Sequence, residues 1–361
     1  MTRNVPLYSS LQNVSVKVSY IHGLSVHNET RELLAGVLEG SRAHLARAIT
    51  LIETKHPGKH QQAQWLLTSL LSHRNKLKKS NKLRDTFRIG FSGSPGAGKS
   101  TLIETLGKSL TGLDHRVAVL AVDPSSSRTG GSILGDKTRM PKLSSDPNAF
   151  IRPSPSGGTL GGVTRNTQEA ILLCEGAGYD VIIVETVGVG QSETVVADMV
   201  DMFVLLVPPA AGDELQGLKK GIVELADLVL VTKADGDLLP AARRIQTEYS
   251  SALRLVRRAL NYPWKPRVLR VSSFTNEGVN EAWETMTEYK ETLLEKDLFN
   301  EKRMLQQKTW LWYHIQWQLM ERFHSDPVVN DHLKDQEESV MAGRLTPGTA
   351  ADNLIKFFIK Q

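Results

Sequence analysis

The sequence predicts a doubly wound α/β domain, a mostly parallel sheet covered by helices on both faces, with a helical extension on either side. Three observations lead there. Seven short apolar runs, "FRIGFSG", "RVAVLAV", "AFIRP", "DVIIVET", "DMFVLLV", "DLVLVTK" and "PRVLRVS", alternate with helical stretches. Continuous apolar strands of this kind belong to parallel sheets buried on both faces. A glycine-rich loop, "GSPGAGKS", follows the first run directly and opens a helical stretch. Before Phe87 and after Gly278 the texture is helical.

Residues 1–28 contain Arg3, Lys17, five serines and no acid before Glu29. That composition resembles a mitochondrial transit segment, the alternative being a disordered tail. Residues 29–84 are expected to form an N-terminal helical extension and linker. Leu33, Leu34, Val37 and Leu38 make one apolar stripe and Leu45, Ile49 and Ile52 a second; Pro57-Gly58 then interrupts the pattern before Trp65, Leu66 and Leu70. The basic stretch "HRNKLKKSNKLR", His73 to Arg84, has no interleaved aromatic to stack a base. It reads as a solvated helix end plus linker, not a nucleic-acid site.

Residues 85–279 hold the α/β domain and 280–361 a C-terminal helical part, with a long helical pattern from Asn280 to Phe323 and a last helix after Pro347-Gly348. Trp310, Trp312, Tyr313 and Trp317 place aromatics on more than one helix face, which packing against a single partner does not require. A second surface is therefore expected, pointing to a homodimer.

Composition narrows the function classes. The formal charge is +5, 40% of residues are hydrophobic and 23% charged, as in an ordinary soluble globular protein. No apolar run approaches the roughly 18 residues of a membrane span. The single cysteine, Cys174, excludes an intrachain disulfide and a multi-cysteine zinc site and reads as helix packing.

"GSPGAGKS", Gly93 to Ser100, matches GxxxxGK[ST] at every fixed position. Gly93, Ser94, Pro95, Gly96, Ala97 and Gly98 let backbone N–H groups turn inward on phosphates, Lys99 reaches the terminal phosphates, and Ser100, followed by Thr101, offers a hydroxyl to Mg²⁺. The helix opening there adds its positive dipole end. "VTKAD", Val231 to Asp235, has the form of the guanine motif NKxD with Thr232 in the Asn position, a departure that bears on loop bracing more than on specificity. Asp235 can accept two hydrogen bonds from the donor edge of guanine, a pair that adenine lacks, so GTP and GDP are expected over ATP. Lys233 is expected along the base plane, and "VSSFTNEG" brings Ser272 and Ser273 to the last nucleotide loop.

Glu185 ends the run "DVIIVE", where a carboxylate would hold Mg²⁺, and Gly188 stands where an N–H would meet the γ-phosphate. Asp123 and Asp136 are two further carboxylates, the first expected at a strand's carboxyl end. Where a Ras-like enzyme carries the glutamine that positions water, this chain has Val189, with Gln191 the nearest amide. Intrinsic hydrolysis is expected to be slow, and a partner to supply the speed.

Together, "GSPGAGKST", "VLAVDPSSSRTGGSILGDKTRM", "IRPSPSGGTLGGVTRNTQEA", "ETVGVGQSE", "DMVDMFVLL", "GDELQGLKKGI" and "VTKADGD" closely resemble the MeaB family, from about Glu29 to the C-terminus. The resemblance implies a P-loop GTPase domain of the SIMIBI class with an N-terminal helical extension and a C-terminal dimerisation extension. It also implies a GTPase chaperone that gates adenosylcobalamin delivery to methylmalonyl-CoA mutase and protects or reactivates that enzyme, in the mitochondrial matrix if the first 28 residues are a transit segment. By the same resemblance Lys99 and Ser100 serve phosphate and Mg²⁺, and Asp123, Asp136 and Glu185 form the carboxylate set. Gly212 to Gly221 would be a third switch loop, with Lys219 able to swing toward Glu185 or Asp123. The rival readings are a metal-insertion GTPase, disfavoured by ten scattered histidines and one cysteine, and a P-loop small-molecule kinase, disfavoured by Asp235.

Overall fold

The computed structural model describes residues 26–54, 56–82, 84–122, 139–153, 160–186, 192–209, 220–255 and 262–359. Two compact units divide the chain, Met1–Gln306 and Gln307–Gln361. In the first, the seven apolar runs form seven strands: β1 (Phe87–Gly93), β2 (Val117–Val122), β3 (Ala149–Arg152), β4 (Val181–Thr186), β5 (Met202–Val207), β6 (Leu228–Val231) and β7 (Arg267–Arg270). Their order is β3-β2-β4-β1-β5-β6-β7, and every neighbouring pair is parallel. The expected fold class is the one found.

Period-two alternation decides what each strand presents to each face. On β1, Phe87, Ile89 and Phe91 join a core with Leu102, Ile103, Leu106 and Leu110 of α4 (Lys99–Gly112) and with Val279, Met286, Tyr289 and Leu293 of α10 (Val279–Glu295). Gly90, on the opposite face, lies against Val196 of α7 (Ser192–Ala197) and Val200. That face also carries α6 (Leu160–Gly176), against which pack the helices of the N-terminal extension, α1 (Asn28–Leu38), α2 (Arg42–Ile52) and α3 (Pro57–Lys79). Leu33, Leu34, Val37, Leu45, Ile49, Ile52, Leu66 and Leu70 are buried there. Shorter helices α5 (Pro141–Ser144) and α8 (Lys220–Leu225) and the longer α9 (Leu239–Leu255) complete the unit.

Register brings Phe91 opposite Glu185 and Gly93 opposite Leu206, so the ends of β1, β4 and β5 converge at the carboxyl edge of the sheet. In open α/β sheets ligands bind at that edge. At the amino edge the chain has built an ion network instead. Glu175 of α6 accepts from Arg88 Nε at 2.8 Å and Nη2 at 3.0 Å, from Thr86 Oγ1 at 2.8 Å, and from Arg74. Burial alone would raise the Glu175 carboxyl, but Arg88, Arg74 and Arg303 hold it well below the usual carboxylate range. Asp201 accepts from Arg303 Nε and Nη2 at 2.7 and 2.6 Å and from the Arg88 amide at 2.8 Å.

Two expectations change in this frame. The long pattern from Asn280 is two helices, α10 and α11 (Leu298–Ser325), because Asp297 takes a left-handed backbone, φ 59°, that ends the helical ladder. The basic stretch is not wholly solvated: Arg74 turns inward onto buried Glu175, while Lys76, Lys78 and Lys79 stay exposed. Cys174 is buried within α6, where burial pushes its thiol up, as a packing residue requires.

The second unit pairs α12 (Pro327–Met341) with α13 (Pro347–Ile359). Asp326 caps α12 by accepting from the Val329 amide at 3.0 Å. His332 stacks on Phe357 at 4.2 Å between centroids, and Phe323 meets Phe358 edge-on at 5.5 Å.

Candidate nucleotide site

The site begins where β1 ends. At Gly93 a Cβ would lie 2.4 Å from the Leu206 carbonyl oxygen, so only glycine lets the loop leave the sheet along this path. Gly98 caps α4 in a left-handed conformation, φ 83°, that other residues adopt at a cost. Between them the loop runs through Ser94, Pro95, Gly96 and Ala97 and presents its amides at the N-terminus of a fourteen-residue helix, the arrangement that binds anions.

Lys99, the first residue of α4, folds back over this loop: its Nζ donates to the Gly93 carbonyl at 2.7 Å and the Ser94 carbonyl at 3.1 Å. It is only 7% exposed, and burial lowers its affinity for a proton, opposed by the charges of Glu185 and Glu193 and reinforced by Arg139. Ser100 Oγ donates to Glu185 Oε1 at 2.9 Å. Thr101 continues α4 on its exposed side. Glu185 is buried at the end of β4, and Thr186 beside it donates to Ser92 Oγ at 3.1 Å, tying β4 to β1. The phosphate-loop lysine, the serine hydroxyl and the strand-end carboxylate thus meet at one point, although 85 residues separate Ser100 from Glu185.

The base-reading segment lies one strand pair away. Thr232 Oγ1 donates to the Ala97 carbonyl at 2.7 Å, with the Val207 carbonyl 3.3 Å away as a second acceptor, so this threonine braces the loop directly to the phosphate cradle. The bracing that a missing asparagine put in question is present by a shorter route. Lys233 is exposed with φ 52°. Asp235 is held by Ser272, whose Oγ donates to its carboxylate and accepts from the amides of Phe274 at 3.2 Å and Thr275 at 3.1 Å. Ser273 turns its carbonyl toward Thr105 Oγ1 of α4 at 3.4 Å. One hydroxyl therefore fixes both the carboxylate and the loop that would face the base.

Asp123, Asp136, Gly188, Val189, Gln191 and Lys219 lie outside the described residues. Two side chains near Lys99 were missed from sequence, Glu193 and Arg139. Glu193 is fully buried in the first turn of α7, a rare state for a glutamate and one no linear motif announces. Chemically, the arrangement offers anion-binding amides, one buried cation, two oxygen donors for a hard metal ion and a fixed carboxylate for a purine edge.

The sequence profile of the family described as "Methylmalonyl Co-A mutase-associated GTPase MeaB" matches residues 45–328. A Mus musculus protein named "Methylmalonic aciduria type A homolog, mitochondrial" is 55% identical over 331 residues, 90% of this chain and 79% of that protein. The Escherichia coli protein named GTPase ArgK is 41% identical over 330 residues, 91% of this chain and 97% of that one. A crystal structure described as LAO/AO transport system kinase superposes with a TM-score of 0.70 at 34% identity, covering 94% of this chain and all of the other.

Proposed function

The chain is a P-loop GTPase of the MeaB family, and on that premise we propose that it is the GTP-driven chaperone of methylmalonyl-CoA mutase, gating adenosylcobalamin delivery and protecting or reactivating that enzyme. The observation that carries the reading is the convergence of Lys99, Ser100 and Glu185 on the phosphate loop beside a base-reading carboxylate clamped by Ser272. The family's description as mutase-associated supplies the partner.

Mg²⁺ suits the oxygens present. Ser100 Oγ and Glu185 Oε1 are hard donors 2.9 Å apart, and Mg²⁺ takes one or two protein oxygens and completes its shell with phosphate and water. Ser100 and Glu185 would hold it, with Asp123 and Asp136 as further proposed ligands; when bound, the ion neutralises charge on the phosphate oxygens. The chain's own groups do the remainder. Loop amides and the α4 dipole bind the phosphates, Lys99 exchanges two carbonyl acceptors for phosphate oxygens, and Gly188 contributes an amide at the γ-phosphate. Asp235 accepts from the guanine edge, which favours GTP over ATP and a GTPase over a small-molecule kinase.

Val189 cannot orient the attacking water, so a group must arrive from elsewhere when the partner docks. Lys219, in the proposed third switch between Gly212 and Gly221, is that group: a cation placed near the transferred phosphoryl is worth roughly a thousandfold in rate. Comparing wild type with Lys219→Ala for GTP turnover, with and without mutase, tests this. Similar basal rates, retained complex formation and lost stimulation are expected in the variant, and full stimulation would remove Lys219 from the mechanism.

The chain is further proposed to be a homodimer in the mitochondrial matrix. α11 exposes Leu311, Trp312, Leu319 and Met320 along its length, and relatives from mouse and Caenorhabditis elegans are named as mitochondrial.

A further inference from the structure

We propose that Phe274 is a stacking residue for the purine ring of the bound nucleotide, an inference that rests on the guanine-nucleotide reading of the site. Three observations converge on it. First, Phe274 is 90% exposed, the most exposed large hydrophobic side chain among the described residues. A solvated phenyl ring is unfavourable on its own account, and Phe91 and Phe299 of the same compact unit are buried.

Second, the backbone that carries the ring is not loose. The Phe274 amide donates to Ser272 Oγ at 3.2 Å, the same oxygen that donates to Asp235. The side chain predicted to read the edge of the base and the exposed ring are therefore referenced to one atom.

Third, Phe274 and Ser273 line a mostly polar cavity of about 570 Å³ together with Glu104, Thr105 and Lys108 of α4. Those three residues belong to the same helix that begins with Lys99 and Ser100. Apart from Phe274 and Val279, which is buried, that lining is hydroxyl, amide and charge. A flat aromatic ligand there meets Phe274 as the exposed apolar surface.

Lys233, exposed and with its backbone in the left-handed region, is the proposed wall on one side of the base. Phe274 supplies an aromatic wall on another. Stacking has no preference among purine edges because every base presents a π-face, so Phe274 adds affinity and Asp235 adds selectivity. The division predicts which variants alter which quantity.

The test uses the full-length protein and a fluorescent GDP analogue, with Phe274→Ala, Phe274→Leu and Phe274→Trp. Phe274→Ala should weaken GDP and GTP about tenfold, within the range that removing a stacking aromatic costs a base. Phe274→Leu should recover only part of that, and Phe274→Trp should restore it and show an indole quench on adding GDP that wild type lacks. Competition by inorganic tripolyphosphate, which has no base, should be the same in wild type and Phe274→Ala. Unchanged GDP affinity in Phe274→Ala, or an equal loss for tripolyphosphate, overturns the proposal. If wild type itself fails to bind GDP, the guanine-nucleotide reading falls with it, an outcome the wild-type titration shows separately. Because the ring is exposed, these variants should retain the wild-type melting temperature.

Discussion

The two edges of the sheet bury charge in opposite ways. At the amino edge Glu175 meets Arg74, Arg88 and Arg303, and Asp201 meets Arg303 and the Arg88 amide, so each carboxylate is answered by side chains built for it. At the carboxyl edge Lys99 rests on two loop carbonyls and Glu185 accepts a hydrogen bond from the Ser100 hydroxyl. The first set is closed: each acid is enclosed by arginine forks, and any movement would strand a buried charge. The second consists of exchangeable contacts, since carbonyls and a hydroxyl release a cation and a carboxylate more readily than an arginine fork does. One sheet thus carries a permanent charge lattice where its flanking helices are anchored and a replaceable one where a ligand is handled.

Breaking each edge in turn should separate chemistry from stability. The largest effect is expected for Lys99→Ala, which should abolish measurable GTP hydrolysis, a loss of a thousandfold or more, because the cation proposed to reach the terminal phosphates is gone. Its urea midpoint should change far less than that of the next variant; a collapse in stability would mean that Lys99 is structural.

Glu175→Gln should act the other way. Removing one side of a buried ion network costs about 3–5 kcal/mol, here by leaving Arg74, Arg88 and Arg303 facing a neutral amide. Urea unfolding near pH 7 measures it. The sign with pH follows from the depressed carboxyl. Its stabilisation is complete above the unfolded-chain value of about 4.3 and is lost as pH falls toward the lower folded value. The gap between wild type and variant should therefore narrow only below about pH 4, and a gap that closes near pH 6 would point to another group.

Asp235→Asn should cost about 1–3 kcal/mol of GTP affinity and erase the preference over ATP, since a charged acceptor pair is lost. Equal affinity of wild type for both nucleotides would remove the guanine assignment. The smallest effect is expected from Trp312→Asp on exposed α11: a weaker dimer by light scattering with GTP hydrolysis retained. A dimer as tight as wild type would place the interface elsewhere.

Much of this was legible because it is local. Each strand announced itself by a continuous apolar run, and the phosphate loop by the glycines whose backbone paths no other residue tolerates. Ser272, by contrast, looked like a supporting loop residue, and only its contacts with Asp235, Phe274 and Thr275 show that it ties together the segments proposed to face the base. Thr232 read as a substitution that weakens bracing, whereas its hydroxyl reaches the Ala97 carbonyl 135 positions earlier in the chain. Arg74 read as part of a solvated basic stretch, because no pattern of charge in one segment reveals a glutamate buried in another.

By itself, then, the sequence determined the strands and the position of the phosphate cradle, because periodicity and glycine geometry act within a few residues. Only the tertiary structure decided which charges are permanent and which exchangeable. Arg74, Arg88, Glu175 and Arg303 span more than two hundred positions and become one network only where parallel strands start side by side. The partners of a buried charge are chosen by strand order and register, and the low polarity around it makes that choice binding.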